Sequence, residues 1–113
     1  MLGFSHPVAD SRNVARAHIA AFENPRARGR YIVSSAEGVP FSKMVEWLKE
    51  AGFGNYPLPS TVIGPTVIPR VSYEKAASDL GYTPRPPRDT VVDMAHALVK
   101  VGLVSDNVIK SKL

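Results

Sequence analysis

Apolar residues recur at helical spacing in four stretches of this chain. Val14, Ala17, His18, Ala21 and Phe22 fall on one face of a helix predicted from about Arg12 to Glu23. Asp10 or Ser11 is placed to cap it by accepting from its first free backbone amides. Asn24-Pro25 ends it, because proline disfavours helix at the residue before it. Met44, Val45, Trp47, Leu48 and Ala51 describe a second amphipathic helix, with Ser42 as its cap and Gly52 as its stop. A third helix is predicted from Tyr73 to Leu80, capped by Ser72 and closed by Gly81. A fourth opens at Asp89 or Thr90 and carries Val91, Met94, Ala95, Leu98, Val99 and Leu103 on one stripe.

Strand signals are sparse. Tyr31-Ile32-Val33 is a β-branched and aromatic run without polar alternation, which suits a strand buried on both faces of a parallel sheet. Val67, Ile68 and Val71 suggest a short edge strand. Pro57, Pro59, Gly64, Pro65 and Pro69 break the stretch from Asn55 to Arg70, and Thr83-Pro-Arg-Pro-Pro87 reads as a stiff extended connector. One core strand cannot make a sheet. The pattern therefore reads as an α/β fragment: the strand of a parallel sheet without its neighbours.

At 113 residues there is room for one domain with a core of modest size. The 44% hydrophobic content is that of a globular chain. No apolar run is long enough for a transmembrane helix, and Met1-Leu-Gly-Phe-Ser-His-Pro lacks the charged start and apolar core of a secretory signal. The absence of cysteine excludes disulfides, thiolate catalysis and zinc–thiolate sites. The net charge of +4 would suit nucleic acid, but Arg26, Arg28 and Arg30 sit in one turn, Arg85 and Arg88 flank prolines, and Lys110 and Lys112 end the chain. No aromatics interleave with them for stacking, so we expect a solvated surface and neither nucleic-acid nor membrane partners.

The search for chemistry is mostly negative. The eight glycines are scattered and form no G-x-G-x-x-G loop to approach a pyrophosphate. Four residues after Tyr31, Tyr56, Tyr73 and Tyr82 stand Ser35, Ser60, Ala77 and Pro86, so no Tyr-x-x-x-Lys pair exists. His6, His18 and His96 share no metal-ligand spacing. His18 is expected on the buried side of its helix as a core histidine, and Trp47 is expected in the core.

Three stretches carry a family resemblance: Val8-Ala-Asp-Ser-Arg-Asn-Val-Ala-Arg-Ala-His18 running into Ile19-Ala-Ala-Phe22; Gly29-Arg-Tyr-Ile-Val-Ser-Ser35; and Val71-Ser-Tyr-Glu-Lys-Ala-Ala-Ser-Asp-Leu-Gly-Tyr-Thr-Pro-Arg85. Their order and spacing resemble the C-terminal part of extended short-chain dehydrogenase/reductases of the NAD-dependent epimerase/dehydratase superfamily. Within it they are most similar to the dihydroflavonol reductase and cinnamoyl-CoA reductase group. The resemblance implies the C-terminal fragment of a Rossmann-type doubly wound fold. Residues 1–35 would end the sheet region, residues 36–104 would form a mainly helical substrate lobe with closing helices, and residues 105–113 would be a tail.

For the complete family enzyme the resemblance implies hydride transfer between NADP or NAD and a carbonyl/alcohol pair. For this chain alone it implies no cofactor, no metal and no catalytic residue. A small-molecule substrate would be bound only once an N-terminal Rossmann region completes the fold. Three residues match places near the substrate pocket. His6 lies beside Pro7 in a stretch that approaches it. Asp10, with Arg12, occupies the strand-to-helix junction, either as cap and local ion pair or as part of the pocket floor. Tyr56 precedes the proline-rich, substrate-covering loop. Asn13 and Ser72 stand where aspartate is more usual, and Lys75 reads as structural.

Ser111-Lys112-Leu113 matches a peroxisomal address, preceded by a favourable Lys110. It implies a peroxisomal import receptor as partner in a eukaryotic cell, and otherwise an intracellular, cytoplasmic protein. Rival readings from other classes are a non-catalytic interaction module that pairs with a full-length relative, and a truncated gene product. The coding frame upstream of Met1 discriminates them: a continuous frame with a glycine-rich loop and Tyr-x-x-x-Lys means a clipped enzyme.

Overall fold

The computed structural model describes residues 1–105. The tripeptide Ser111-Lys112-Leu113 lies outside the described residues. The described chain is mixed α/β, with four helices and a two-stranded sheet. The elements are β1 (Ser5–His6), α1 (Ser11–Glu23), β2 (Val39–Pro40), α2 (Phe41–Leu48), α3 (Glu74–Leu80) and α4 (Pro87–Lys100). β1 and β2 pair antiparallel, Ser5 opposite Pro40 and His6 opposite Val39.

Helix α1 forms where its pattern places it. Asp10 is its N-cap, and its carboxylate accepts from the backbone N–H of Arg12. Asn24 ends it before Pro25. Helix α2 begins at Phe41 with Pro40 as N-cap and no side-chain cap, so Ser42 does not cap it. The N–H of Phe41 instead reaches Phe4 O at 3.1 Å, pinning the helix start to the residue just before β1. The end of α2 widens into a π-turn over Lys49–Phe53, where Gly52 takes a φ of 98°, a conformation open to glycine. Helix α3 closes on left-handed Gly81 as expected. Ser72 Oγ accepts from Glu74 N at 3.3 Å, one position outside the N-cap Tyr73. Helix α4 opens two residues before Asp89, with Pro87 in its first turn, where the missing N–H costs no bond.

The expected strand at Tyr31–Val33 is not in a ladder. Among the described residues no strand lies beside it, so it has no ladder to join. Its continuation is tied locally: Ser35 N donates to Val8 O at 2.7 Å, and Val8 N donates to Ser35 Oγ at 3.0 Å. The edge strand expected at Val67–Val71 is reduced to one antiparallel bridge, Glu37 to Arg70, flanked by Gly38 N to Pro69 O and Val71 N to Ala36 O. The prolines around it interrupt any longer pairing.

The core is thin. Among the described residues only Ala17, Val39, Ala76 and Tyr82 are buried apolar residues, and no large side chain is fully enclosed. The radius of gyration is 16.9 Å, against about 13 Å for a compact domain of this length. Three apolar-face expectations are corrected here. Phe22 is 92% exposed. His18 is exposed too, its Nδ1 hydrogen-bonded to Val14 O of its own helix at 2.8 Å. Trp47 is half-buried on the wall of an open cleft. α1 turns Asn13 and Ala17 inward instead, so its inner face is narrow and set by small residues.

Candidate functional site

The densest polar cluster gathers around Asp10, where the strand-to-helix junction meets α4. Asp10 is buried. Its Oδ1 accepts from Arg12 N at 2.9 Å and Arg12 Nε at 2.9 Å; its Oδ2 accepts from Arg12 Nη2 at 2.8 Å and Thr90 Oγ1 at 3.0 Å. Arg12 Nη2 also bonds Asp93 Oδ2 at 2.8 Å. The forked guanidinium therefore clamps α1 to α4 through two carboxylates. The Arg12 side-chain bond holds the Asp10 carboxyl far below the usual carboxylate range, outweighing the opposing effect of burial. Arg12 is pushed up in turn, first by the bond to Asp10 and then by that to Asp93.

Beside it, Asn13 grips the connector. Its Oδ1 accepts from Arg85 N at 3.0 Å and its Nδ2 donates to Thr83 O at 3.0 Å. An aspartate at this position would lack the donor. The carboxamide of asparagine is what this two-way contact requires.

Tyr82, next in the same corner, is buried against Tyr73 with ring centroids 5.5 Å apart. Its hydroxyl is buried without a hydrogen-bond partner among the described residues. Burial pushes its pKa up, aided by Tyr73 and Asp10.

Tyr56 lies elsewhere, in a hollow lined also by Gly52, Phe53, His96, Val99 and Lys100. Phe53 stacks at a tilt on Tyr56, centroids 5.7 Å apart, and edge-on to His96 at 5.0 Å. The Tyr56 hydroxyl is also buried without a partner. His6 is exposed on β1 and packs against Phe41 at 5.6 Å. The hollow at Tyr56 includes neither His6 nor Asp10. Asp10 is the cap of α1 and the centre of an ion-pair cluster.

Sequence reasoning missed Thr90 and Asp93 as partners of the junction, and Arg85 as the target of Asn13. Thr90 and Asp93 stand 80 and 81 positions from their partners and Arg85 stands 72 from Asn13, with no motif linking them; the only local signal was that Asp10 and Arg12 are two apart. Among the described residues no cluster of three or more His, Cys, Asp or Glu side chains can hold a metal ion, and no helix is long and apolar enough to cross a membrane.

No protein-family model and no curated protein matches this chain.

Proposed function

We propose that this chain is the C-terminal substrate-lobe portion of an NAD(P)-dependent oxidoreductase acting on a carbonyl/alcohol pair, not competent for hydride transfer alone. The observation that carries the reading is the state of Tyr31–Val33. This apolar run lies outside any ladder, with Ile32 half exposed. Ile19 and Phe22 on α1 are also left open, at 58% and 92% exposure. Unpaired backbone and uncovered apolar side chains are what remain when one strand and one helix of a larger sheet stand without the rest.

The contacts among the three resembling stretches support it. Asn13 holds Thr83 and Arg85. Lys75 Nζ donates to Arg28 O at 2.5 Å and Arg30 O at 3.1 Å. Tyr31 Oη donates to Asp79 at 2.9 Å. Each resembling stretch is thus fastened to another by its own distinctive residues, all in scaffolding roles. Such a scaffold would supply walls to a pocket whose reacting groups come from the preceding Rossmann region.

The test is complementation. The chain is co-expressed with the N-terminal Rossmann segment of a dihydroflavonol-reductase-type enzyme, cut before the stretch equivalent to Val8. A stable complex that oxidises NADPH with an aromatic carbonyl substrate is expected, while the chain alone gives no heat on calorimetric titration with NADPH. Micromolar NADPH binding by the chain alone, or failure of any such segment to associate, overturns the reading.

A further inference from the structure

A cleft of about 440 Å³ opens between residues 35–40, α2 and the proline-rich connector. Its walls are apolar, formed chiefly by Trp47, Val39, Pro84 and Pro86. Two cations, Lys43 and Arg85, and one acid, Glu37, stand on the same lining.

The charges are unequally committed. Glu37 pairs with Arg70, Oε1 to Nη2 3.1 Å. Lys43 has only Glu46, 3.2 Å away on its own helix and half exposed, a pair that competes weakly with a ligand. Arg85 has its backbone fixed by Asn13, but its Nε is buried with no hydrogen-bond acceptor among the described residues. The nearest carboxylate oxygen, Asp10 Oδ1, is 4.0 Å away and already accepts twice from Arg12. The Arg85 side chain keeps 38% of its surface. A guanidinium fixed at its base, with no hydrogen bond at its head among the described residues and with a second cation on the same lining, is a site for a planar oxyanion.

We propose that this cleft binds a small aryl carboxylate, with the ring against Trp47 and the prolines and the carboxylate between Arg85 and Lys43. The volume lies within the range of small-molecule pockets, about 300–1,000 Å³. The apolar walls select an anion with an apolar body over an inorganic one, whose hydration they cannot replace. The lining residues named are all described residues of this chain, so the test needs no completing Rossmann region.

Trp47 is the only tryptophan, so its emission reports directly on the cleft. The full chain is titrated with benzoate, with its neutral isostere benzamide, and with acetate and inorganic phosphate. Benzoate is expected to change the emission saturably, with benzamide, acetate and phosphate each at least about tenfold weaker. Arg85→Gln and Lys43→Gln are each expected to weaken benzoate by about fivefold or more; if Arg85→Gln does not fold, Lys43→Gln decides. Amide shifts on benzoate addition should centre on Gly38, Lys43, Trp47 and Arg85. Equal response to benzoate and benzamide, acetate or phosphate matching benzoate, no saturation below about 10 mM, or an unaffected Lys43→Gln variant overturns the proposal.

Discussion

Asn13 and Arg85, 72 positions apart, are joined by a hydrogen bond from the Arg85 backbone N–H to the Asn13 side-chain oxygen at 3.0 Å. The amide end of the same side chain holds Thr83 O. Asn13 is buried, so neither partner is replaced cheaply by water. This single carboxamide sets the path of the connector between α3 and α4.

Asn13→Asp keeps the acceptor and loses the donor, and it sets a carboxylate oxygen against the Thr83 carbonyl. The expected loss is about 1–3 kcal/mol, read as a lower urea midpoint with an unchanged slope. A variant as stable as the parent would show that the connector is held by other contacts.

Asp10 gives the fold an acid limit. Its carboxyl titrates below its ordinary value in the folded chain, so its contribution is present above about pH 3.9 and is lost as pH falls through the folded value. Asp10→Asn should lower stability at neutral pH by about 1–3 kcal/mol, a figure reduced because Arg12 is partly exposed. It should also flatten the decline below pH 4. Thermal melts of both proteins across pH 2–6 provide the check; parallel pH profiles would contradict the assignment.

Tyr82 sets the opposite limit. Its phenol is raised in the folded chain, so its contribution is whole below about pH 10 and is lost as pH climbs through the folded value. The hydroxyl has no partner, so Tyr82→Phe removes a polar group that gains nothing from being buried. Equal stability or a gain of up to about 1 kcal/mol at pH 7 is expected, with a smaller alkaline decline. A clear loss at pH 7 in chemical denaturation would mean that the hydroxyl is bonded after all.

Lys75 ties α3 to the turn before Tyr31. Beyond its two carbonyl partners, its ammonium sits 4.2 Å from the centre of the Tyr31 ring. Lys75→Met should cost about 1 kcal/mol, since the group is exposed and water competes for it. Amide exchange should accelerate at residues 28–31 more than in α4. Uniform acceleration would assign the effect to general destabilisation.

For Ser111-Lys112-Leu113, a fluorescent reporter ending in the last dozen residues should collect in peroxisomes of a eukaryotic cell, and removal of Leu113 should disperse it. A diffuse reporter beside a working import control would reduce the tripeptide to coincidence.

Local rules settled much of this chain in advance. Asp10 followed by helical periodicity and closed by Asn24-Pro25 fixes α1, and Gly81 fixes the end of α3, because caps and breakers act within a few residues. Lys75 read as structural and proves to be a clamp on two carbonyls. Periodicity erred where it assumed a thick core. Phe22, His18 and Met94 lie on the predicted stripes yet face solvent, because among the described residues there is too little chain to cover both α1 and α4.

What the sequence determined by itself is the presence of the four helices, the ends of α1, the close of α3 at Gly81, the irregular path between Asn55 and Arg70, and the absence of any glycine-rich phosphate loop or Tyr-x-x-x-Lys pair. What only the tertiary structure decided is which distant groups meet: Asp10 with Thr90, Arg12 with Asp93, Asn13 with Thr83 and Arg85. Capping and chain breaking are decided by backbone geometry a few residues long. A buried polar group takes its partner from whichever segment folding brings beside it, and no spacing along the chain encodes that choice.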